Sequence, residues 1–495
     1  MAVAAAVSTG LMYRQGIGLW TDTIEYFSFA ESLALEDLPV HHGVLYAIFI
    51  AAFSMVGFSI PVAAAVVNLV SALLASLAVY GILRLSITTR SLWPVLIGSY
   101  LTIFSLPWLD AFAFAMSEPL FYATLLPATY FLLRSLDSAN PPRDVWLSIV
   151  FISLTTLTRY AGVCFVAVFC FCLWRKHAFR WQGLRAAVVY GITAMAPLLL
   201  LLVWNRLTHG TTTNRQLLVT AIPMHYLAEG SMNIASWFVP FQLLLRWQWI
   251  HVALSVGFLL TMGLITIQAH FKGHLMVFAL AVATIGYAVF YVLVSATVDL
   301  GAFNQRKLSP LFIFGVLGII SWYDTAGHGK RTFIHGIALL GSLYMILFTG
   351  YRAAGFIGDS YHSGRGFAAT EWQQGSLLET VEQLHRDTII FSNADDAFQL
   401  RTGSPIGGIP WRFIRTTTLP HEMFDREFDR MRVAFLDEGA ILWHSRLRYW
   451  PPYLFPLEQI VSEFDLVPIL QESTGTLFTH PSNRDAYLKR LEELR

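Results

Sequence analysis

A chain of 495 residues with 55% hydrophobic and only 13% charged residues, and a mean hydropathy of +0.55, is too apolar for a soluble enzyme of that length; such an enzyme would carry about 25% charged residues. The formal charge of +1 and the lack of a dense Lys/Arg run argue against a nucleic-acid partner, which needs a basic stripe to displace phosphate counterions. Cys164, Cys170 and Cys172 share one apolar segment, which points to packing rather than to a disulfide framework or a zinc site.

Apolar runs at or near membrane-crossing length lie at roughly 1–13, 61–84, 93–110, 119–134, 145–158, 160–174, 185–205, 246–268, 275–297, 307–322 and 332–350. They predict an α-helical polytopic membrane protein of about eleven spans. The first run is short, rich in Ala and Val, and has no charged leader, so it reads as a span rather than a cleaved signal peptide.

After that run comes Thr21 to Leu33, a short amphipathic helix. Asp22, Glu25 and Tyr26 are spaced i, i+3, i+4 on one face, and Phe29, Ala30 and Leu33 continue the stripe. Asp at N-cap with Glu three residues on is also an acidic capping box, which starts a helix without any chemistry. The segment His42 to Ile60 reads as a juxtamembrane helix in the outer interface, with His41, His42 and Tyr46 at headgroup level.

Lys and Arg in the short loops set the orientation. Arg84 and Arg90, Arg134 and Arg143, Arg175 to Arg185, Lys272, then Lys330 and Arg331 recur at every second loop, as cytosolic loops should. The alternation requires 145–158 and 160–174 to be two short spans that meet at Arg159. It leaves Asp22, Glu118, Arg159, the 206–245 loop, Arg306 and everything beyond 351 on the extracytoplasmic side of a cell (inner) membrane.

From Tyr351 onward charge becomes frequent, and short strand-like runs alternate with helical ones. The expected strands are Thr388 to Ser392, Ala440 to Trp443, Leu466 to Gln471 and Thr476 to Thr479. The expected helices are Ala394 to Thr402, Phe424 to Leu436 and Leu457 to Phe464. Residues 1–350 therefore form a membrane domain and 351–495 a soluble α/β domain.

Four further places carry ionisable residues where the membrane makes them costly. Glu118 opens a span in Ala115-Met116-Ser117-Glu118-Pro119-Leu120-Phe121, where a plain helix start with Ser117 as cap is the simpler reading. Arg159, in Leu157-Thr158-Arg159-Tyr160, lies between two apolar runs and could simply snorkel to the interface. Arg306 and Lys307 put positive charge at the outer face, where few such residues are expected, and this favours an anion such as a lipid phosphate. His41 and His42 could meet a phosphate or the interface; with no third ligand at helical spacing, a divalent metal is possible but not indicated. No phosphate-binding Gly-rich loop, Ser/His/Asp arrangement or zincin motif is present.

In order and in shared membrane face, these pieces resemble the GT-C superfamily of lipid-linked-sugar glycosyltransferases. The branch is the one with protein O-mannosyltransferases, lipid A aminoarabinose transferase and rhizobial core-sugar transferases. The motifs carrying the resemblance are Asp22-x-x-x-Tyr26-x-x-x-Ala30-x-x-Leu33, His42-Gly43-Val44-Leu45-Tyr46, Ser117-Glu118-Pro119-Leu120-Phe121, Leu157-Thr158-Arg159 and Arg306-Lys307-Leu308-Ser309-Pro310. Two positions depart from the family pattern: Asp22 is followed by Thr23 rather than by a second acid, and His41 and His42 replace a Lys or Arg.

The resemblance implies a GT-C-like catalytic domain that moves a sugar from a polyprenyl-phosphate donor to an extracytoplasmic glycan, lipid or protein acceptor. Inversion at the sugar carbon is the expectation by analogy with inverting glycosidases, and no cofactor is required. It implies that Asp22 is the catalytic carboxylate and Glu118 a second active-site acid. Arg159 and Arg306, with Lys307, His41 and His42, would meet the donor phosphate, and Glu25 and Tyr26 would support them. A transporter or lipid flippase would use similar residues as a substrate path, but the ionisable residues here collect at one interface and the two halves do not match. A non-catalytic scaffold with an outer binding domain is the third possibility.

Overall fold

The computed structural model describes residues 1–34, 38–89, 91–137, 141–213, 222, 224–241, 243, 247–298, 303–325, 332–373, 376–384, 388–402, 406–413, 421, 423–437, 439–444 and 456–493. Arg90, Lys330 and Arg331, which entered the charge alternation, lie outside them. The chain divides into two compact units, Met1–Ile17 with Glu25–Gly364, and Gly18–Ile24 with Arg365–Arg495.

The first unit is helical, and the apolar runs expected to cross the membrane fall on helices, with 93–110 divided between two. Among the described residues six helices, against about eleven expected spans, are long and apolar enough to span a bilayer: Ile60–Ser86, Trp181–His209, Trp249–Lys272, Leu275–Ser295, Gln305–Thr325 and Leu339–Ser363. A seventh counts if the pair Trp93–Ile103 and Leu106–Phe112, bent by 52°, is one span. The bend has a local cause: the Ser105 hydroxyl accepts from the Trp108 N–H at 3.3 Å and Pro107 opens the next helix, so a new helix starts where the 93–110 run looked continuous. Leu45–Met55 has 11 residues. At about 1.5 Å per residue it covers roughly half a hydrocarbon core, consistent with a juxtamembrane rather than a crossing helix.

Pro141–Thr158 and Gly162–Lys176 are separate helices, and Arg159 falls in the break between them. Glu118–Asp137 packs against both Pro141–Thr158 and Ile60–Ser86, and Leu275–Ser295 against Gln305–Thr325. An aromatic core of Trp108, Phe112, Tyr122, Phe165, Phe314 and Tyr287 ties these helices together through ring contacts of 4.6–6.0 Å. The hydroxyls of Tyr122 and Ser309 join the Glu118 and Arg306 helices. At the far end of Gln305–Thr325, Asp324 Oδ2 accepts from the Thr88 N–H and hydroxyl, both at 2.7 Å. Leu200, Leu207 and Phe271 are exposed on the outer helix faces, as lipid-facing residues are.

The second unit is a five-stranded mixed sheet in the order β2-β1-β3-β5-β4, where β1 is Ile390–Ser392, β2 Gly407–Gly408, β3 Ala440–His444, β4 Val467–Glu472 and β5 Gly475–Thr479. β2, β1 and β3 run parallel, while β5 is antiparallel to β3 and β4. The strand period of two sends Ile390 and Leu442 to one hydrophobic layer with Phe398 and Tyr487. Phe391 and Ile441 go to the other, with Phe428, Met431 and Phe464. Beyond the strand ends the Asn393 amide donates to the His444 carbonyl at 3.0 Å and accepts from the His444 N–H at 2.8 Å, continuing the pairing with a side chain.

At Gly408 an added Cβ would lie 2.5 Å from Asp395 Oδ2, so the glycine leaves room for this carboxylate. Burial raises the Asp395 carboxyl above the usual carboxylate range, against the pull of the Asp395 and Asp396 backbone N–H groups. A raised native pKa contributes stability below the unfolded value, and that contribution is lost as pH rises through the native value. Asp395→Asn should therefore raise the thermal midpoint of the full-length protein by a few degrees at pH 7 and flatten its decline above the carboxylate range, as thermal unfolding against pH would measure.

Candidate active site

The turn from Ala113 to Ser117, between the helices Leu106–Phe112 and Glu118–Asp137, is met by several of the polar side chains singled out in the sequence. Arg159 Nη1 lies 2.8 Å from Glu118 Oε1 and donates to the Ser117 hydroxyl at 3.1 Å. The same hydroxyl accepts from Tyr26 at 3.2 Å. Arg306 also reaches the turn: its Nη1 contacts Met116 Sδ, and its guanidinium carbon stands 4.9 Å from the Phe114 ring centroid. Glu118, Arg159 and Arg306, more than a hundred residues apart at the extremes, thus gather around five consecutive residues.

The turn is also held by Asn68, the one amide side chain in the largely apolar Ile60–Ser86 helix. Its Nδ2 donates to the Phe114 carbonyl at 2.8 Å and to the Tyr13 hydroxyl at 3.0 Å, and its Oδ1 accepts from Tyr46 at 3.0 Å. Glu118 is buried, and its Oε2 has no hydrogen-bond partner among the described residues. Arg159 keeps 24% of its side chain exposed, so its guanidinium stays reachable from outside while its Nη1 is fixed by Glu118. Two guanidinium groups thus meet one turn, one of them clamped by a buried acid, and a guanidinium is suited to pairing bidentately with anionic oxygens.

The histidines belong to a neighbouring group. His41 Nδ1 is 3.0 Å from Glu25 Oε1, and the His42 ring lies 5.7 Å from Tyr26, which meets Tyr46 edge-on at 5.1 Å. Gly43 is pressed onto the end of the Pro141–Thr158 helix: a Cβ there would lie 2.3 Å from the Leu157 carbonyl oxygen and 2.4 Å from that of Thr158. Beside it the Tyr160 hydroxyl donates to the Val40 carbonyl at 2.9 Å. The His41–Gly43 loop is therefore docked against the backbone that presents Arg159. Gly43→Ala has only backbone to push against and should cost about 1–3 kcal/mol of stability, seen as a lower thermal midpoint in detergent.

Lys307 uses its backbone, accepting at its carbonyl from the Tyr287 hydroxyl at 2.8 Å. Asp22 directly precedes the Thr23–Ser32 helix, accepts from the Thr21 hydroxyl at 3.3 Å, and lies in the segment Gly18–Ile24 that groups with the second unit. In that unit Leu19 pairs with Gly366 and Trp20 stacks on Phe367 at 5.7 Å. Among the described residues no cluster of three or more His, Cys, Asp or Glu side chains is placed to hold a metal ion. Sequence reasoning passed over Ser117 as a mere cap and did not single out Asn68; an amide inside an apolar span was the available signal for the latter.

No protein-family model and no curated protein sequence matches this chain. Solved structures do match. ArnT from Cupriavidus metallidurans aligns over 96% of both chains at 10% identity, with a TM-score of 0.56 in the apo state and 0.57 in the form bound to undecaprenyl phosphate. A mutant of the arabinofuranosyltransferase AftD from Mycobacteria aligns over 97% of this chain and 41% of its own, at 14% identity and a TM-score of 0.51. At such identities the likeness is one of architecture: this polytopic chain shares the fold of these two proteins.

Proposed function

We propose that this chain is a membrane glycosyltransferase that takes a sugar from a polyprenyl-phosphate carrier and places it on an acceptor outside the cytoplasm, inverting the sugar carbon. The observation that carries the reading is that Arg159 and Arg306 both reach the Ala113–Ser117 turn, with Glu118 clamping the first. A carrier phosphate at headgroup depth offers several anionic oxygens, and its charge grows as the sugar leaves. Two preorganised guanidinium groups stabilise that growth. The undecaprenyl phosphate bound by ArnT supports a lipid phosphate as ligand.

Asp22 is assigned the proton-accepting role by what its motif, Asp22-x-x-x-Tyr26-x-x-x-Ala30-x-x-Leu33, implies through its resemblance to lipid-linked-sugar transferases. It would take the proton of the acceptor hydroxyl as that oxygen attacks the anomeric carbon. The alternation of Lys and Arg loops supports an outward-facing reaction, and the soluble unit would serve the acceptor. Incubating the purified protein in detergent with radiolabelled polyprenyl-phosphate sugars and envelope glycan acceptors tests the reading. Label on the acceptor supports it. Lipid movement between leaflets of proteoliposomes with no transfer from any donor would instead favour a flippase.

A further inference from the structure

We propose that Gln305 is a positioning residue that sets where Arg306 presents its charge, by locking the start of the Gln305–Thr325 helix to the turn after Met224–Ala235. The inference rests on the reading of Arg306 as a ligand of the carrier phosphate. Gln305 uses both ends of its amide: Oε1 accepts from Trp237 Nε1 at 2.7 Å, and Nε2 donates to Asn233 Oδ1 at 3.0 Å and to the Ser236 hydroxyl at 2.9 Å. Asn233 returns the link through its Nδ2, which donates to the Phe303 carbonyl at 2.6 Å.

The turn so gripped is itself anchored. Trp237 is buried against Phe312 and Phe258 at 5.2 and 6.0 Å, and Arg352 donates to the Ser236 carbonyl. Phe303 stacks on Tyr226 at 6.3 Å and fills the notch at Gly230, where a Cβ would come within 2.7 Å of its ring. Residues 303 and 305 are thus held by one segment, with Arg306 next along the chain. A guanidinium on a flexible stem costs entropy to place, and a helix end fixed one residue away removes part of that cost. A glutamine has the donor and acceptor together that this junction needs; methionine matches its length with neither.

The test is a double-variant cycle on the full-length protein in detergent, with a short-chain polyprenyl phosphate as the probe. Gln305→Met should weaken binding about tenfold, a size in keeping with losing the hydrogen bonds to Trp237, Asn233 and Ser236, each of modest net strength. In an Arg306→Ala background the same change should alter affinity by less than about twofold, because the residue it acts through is gone. A Gln305→Met protein that binds as wild type does, or that loses the same factor in both backgrounds, overturns the positioning role. Thermal midpoints of all four proteins show whether unfolding accounts for a loss. A wild-type protein that does not bind the probe overturns the lipid-phosphate reading of the site, and the positioning role with it.

Discussion

Asp22→Asn should cut sugar transfer by about 10²–10⁴-fold while leaving the folded protein and its binding of lipid phosphate close to wild type. The substitution separates two roles that a carboxylate at this position can have. As the residue just before Thr23–Ser32, Asp22 sits where a helix cap belongs, and Asn caps a helix about as well as Asp. The amide also keeps an oxygen for the Thr21 hydroxyl. A capping role therefore predicts a nearly silent variant, whereas an acceptor base cannot survive the loss of its basic oxygen. Single-turnover transfer with a radiolabelled donor, alongside thermal midpoint and polyprenyl-phosphate affinity, distinguishes the two. Activity within a few-fold of wild type would remove Asp22 from the chemistry.

Arg159→Met should lower both stability and lipid-phosphate binding, and only the first should return when Glu118→Gln is added. Removing Arg159 leaves the buried Glu118 carboxylate without its counter-charge, for which a cost of about 3 kcal/mol is typical when one partner of a buried pair is lost. The partial exposure of Arg159 puts the expectation at the low end of that range. In the double variant the neutral amide no longer needs a cation, so most of the stability should recover. The guanidinium that meets the phosphate is still missing, so binding should not. Denaturation in detergent and titration with polyprenyl phosphate measure the two effects separately. Recovery of both would make the pair purely structural.

Most helices and strands were legible because their signals are local, although the strand Gly407–Gly408 and the helices Ser376–Leu384 and Arg484–Glu493 were not expected. Long apolar runs announce the membrane helices, and Ile390/Phe391 and Ile441/Leu442 alternate faces in strands only a few residues long. The separation of Pro141–Thr158 from Gly162–Lys176 at Arg159 followed from charge alternation in the loops. The break after Ile103 was missed although Ser105 and Pro107 spell a helix start, because apolar content on both sides hid it.

Composition and periodicity alone thus determined that this chain is a multi-span membrane protein with a soluble α/β portion, and they marked Asp22, Glu118, Arg159 and Arg306 as residues out of place in apolar surroundings. They could not determine which of these meet. Only the packed helices bring Arg159 to Glu118 and Ser117, set Arg306 on Phe114, assign His41 to Glu25, and make Asn68 and Gln305 the fasteners of the arrangement. The reason is one of range: helix and strand propensities act over a few residues, whereas a hydrogen bond between positions 26 and 117 or 237 and 305 exists only once the segments between them have found their own packing.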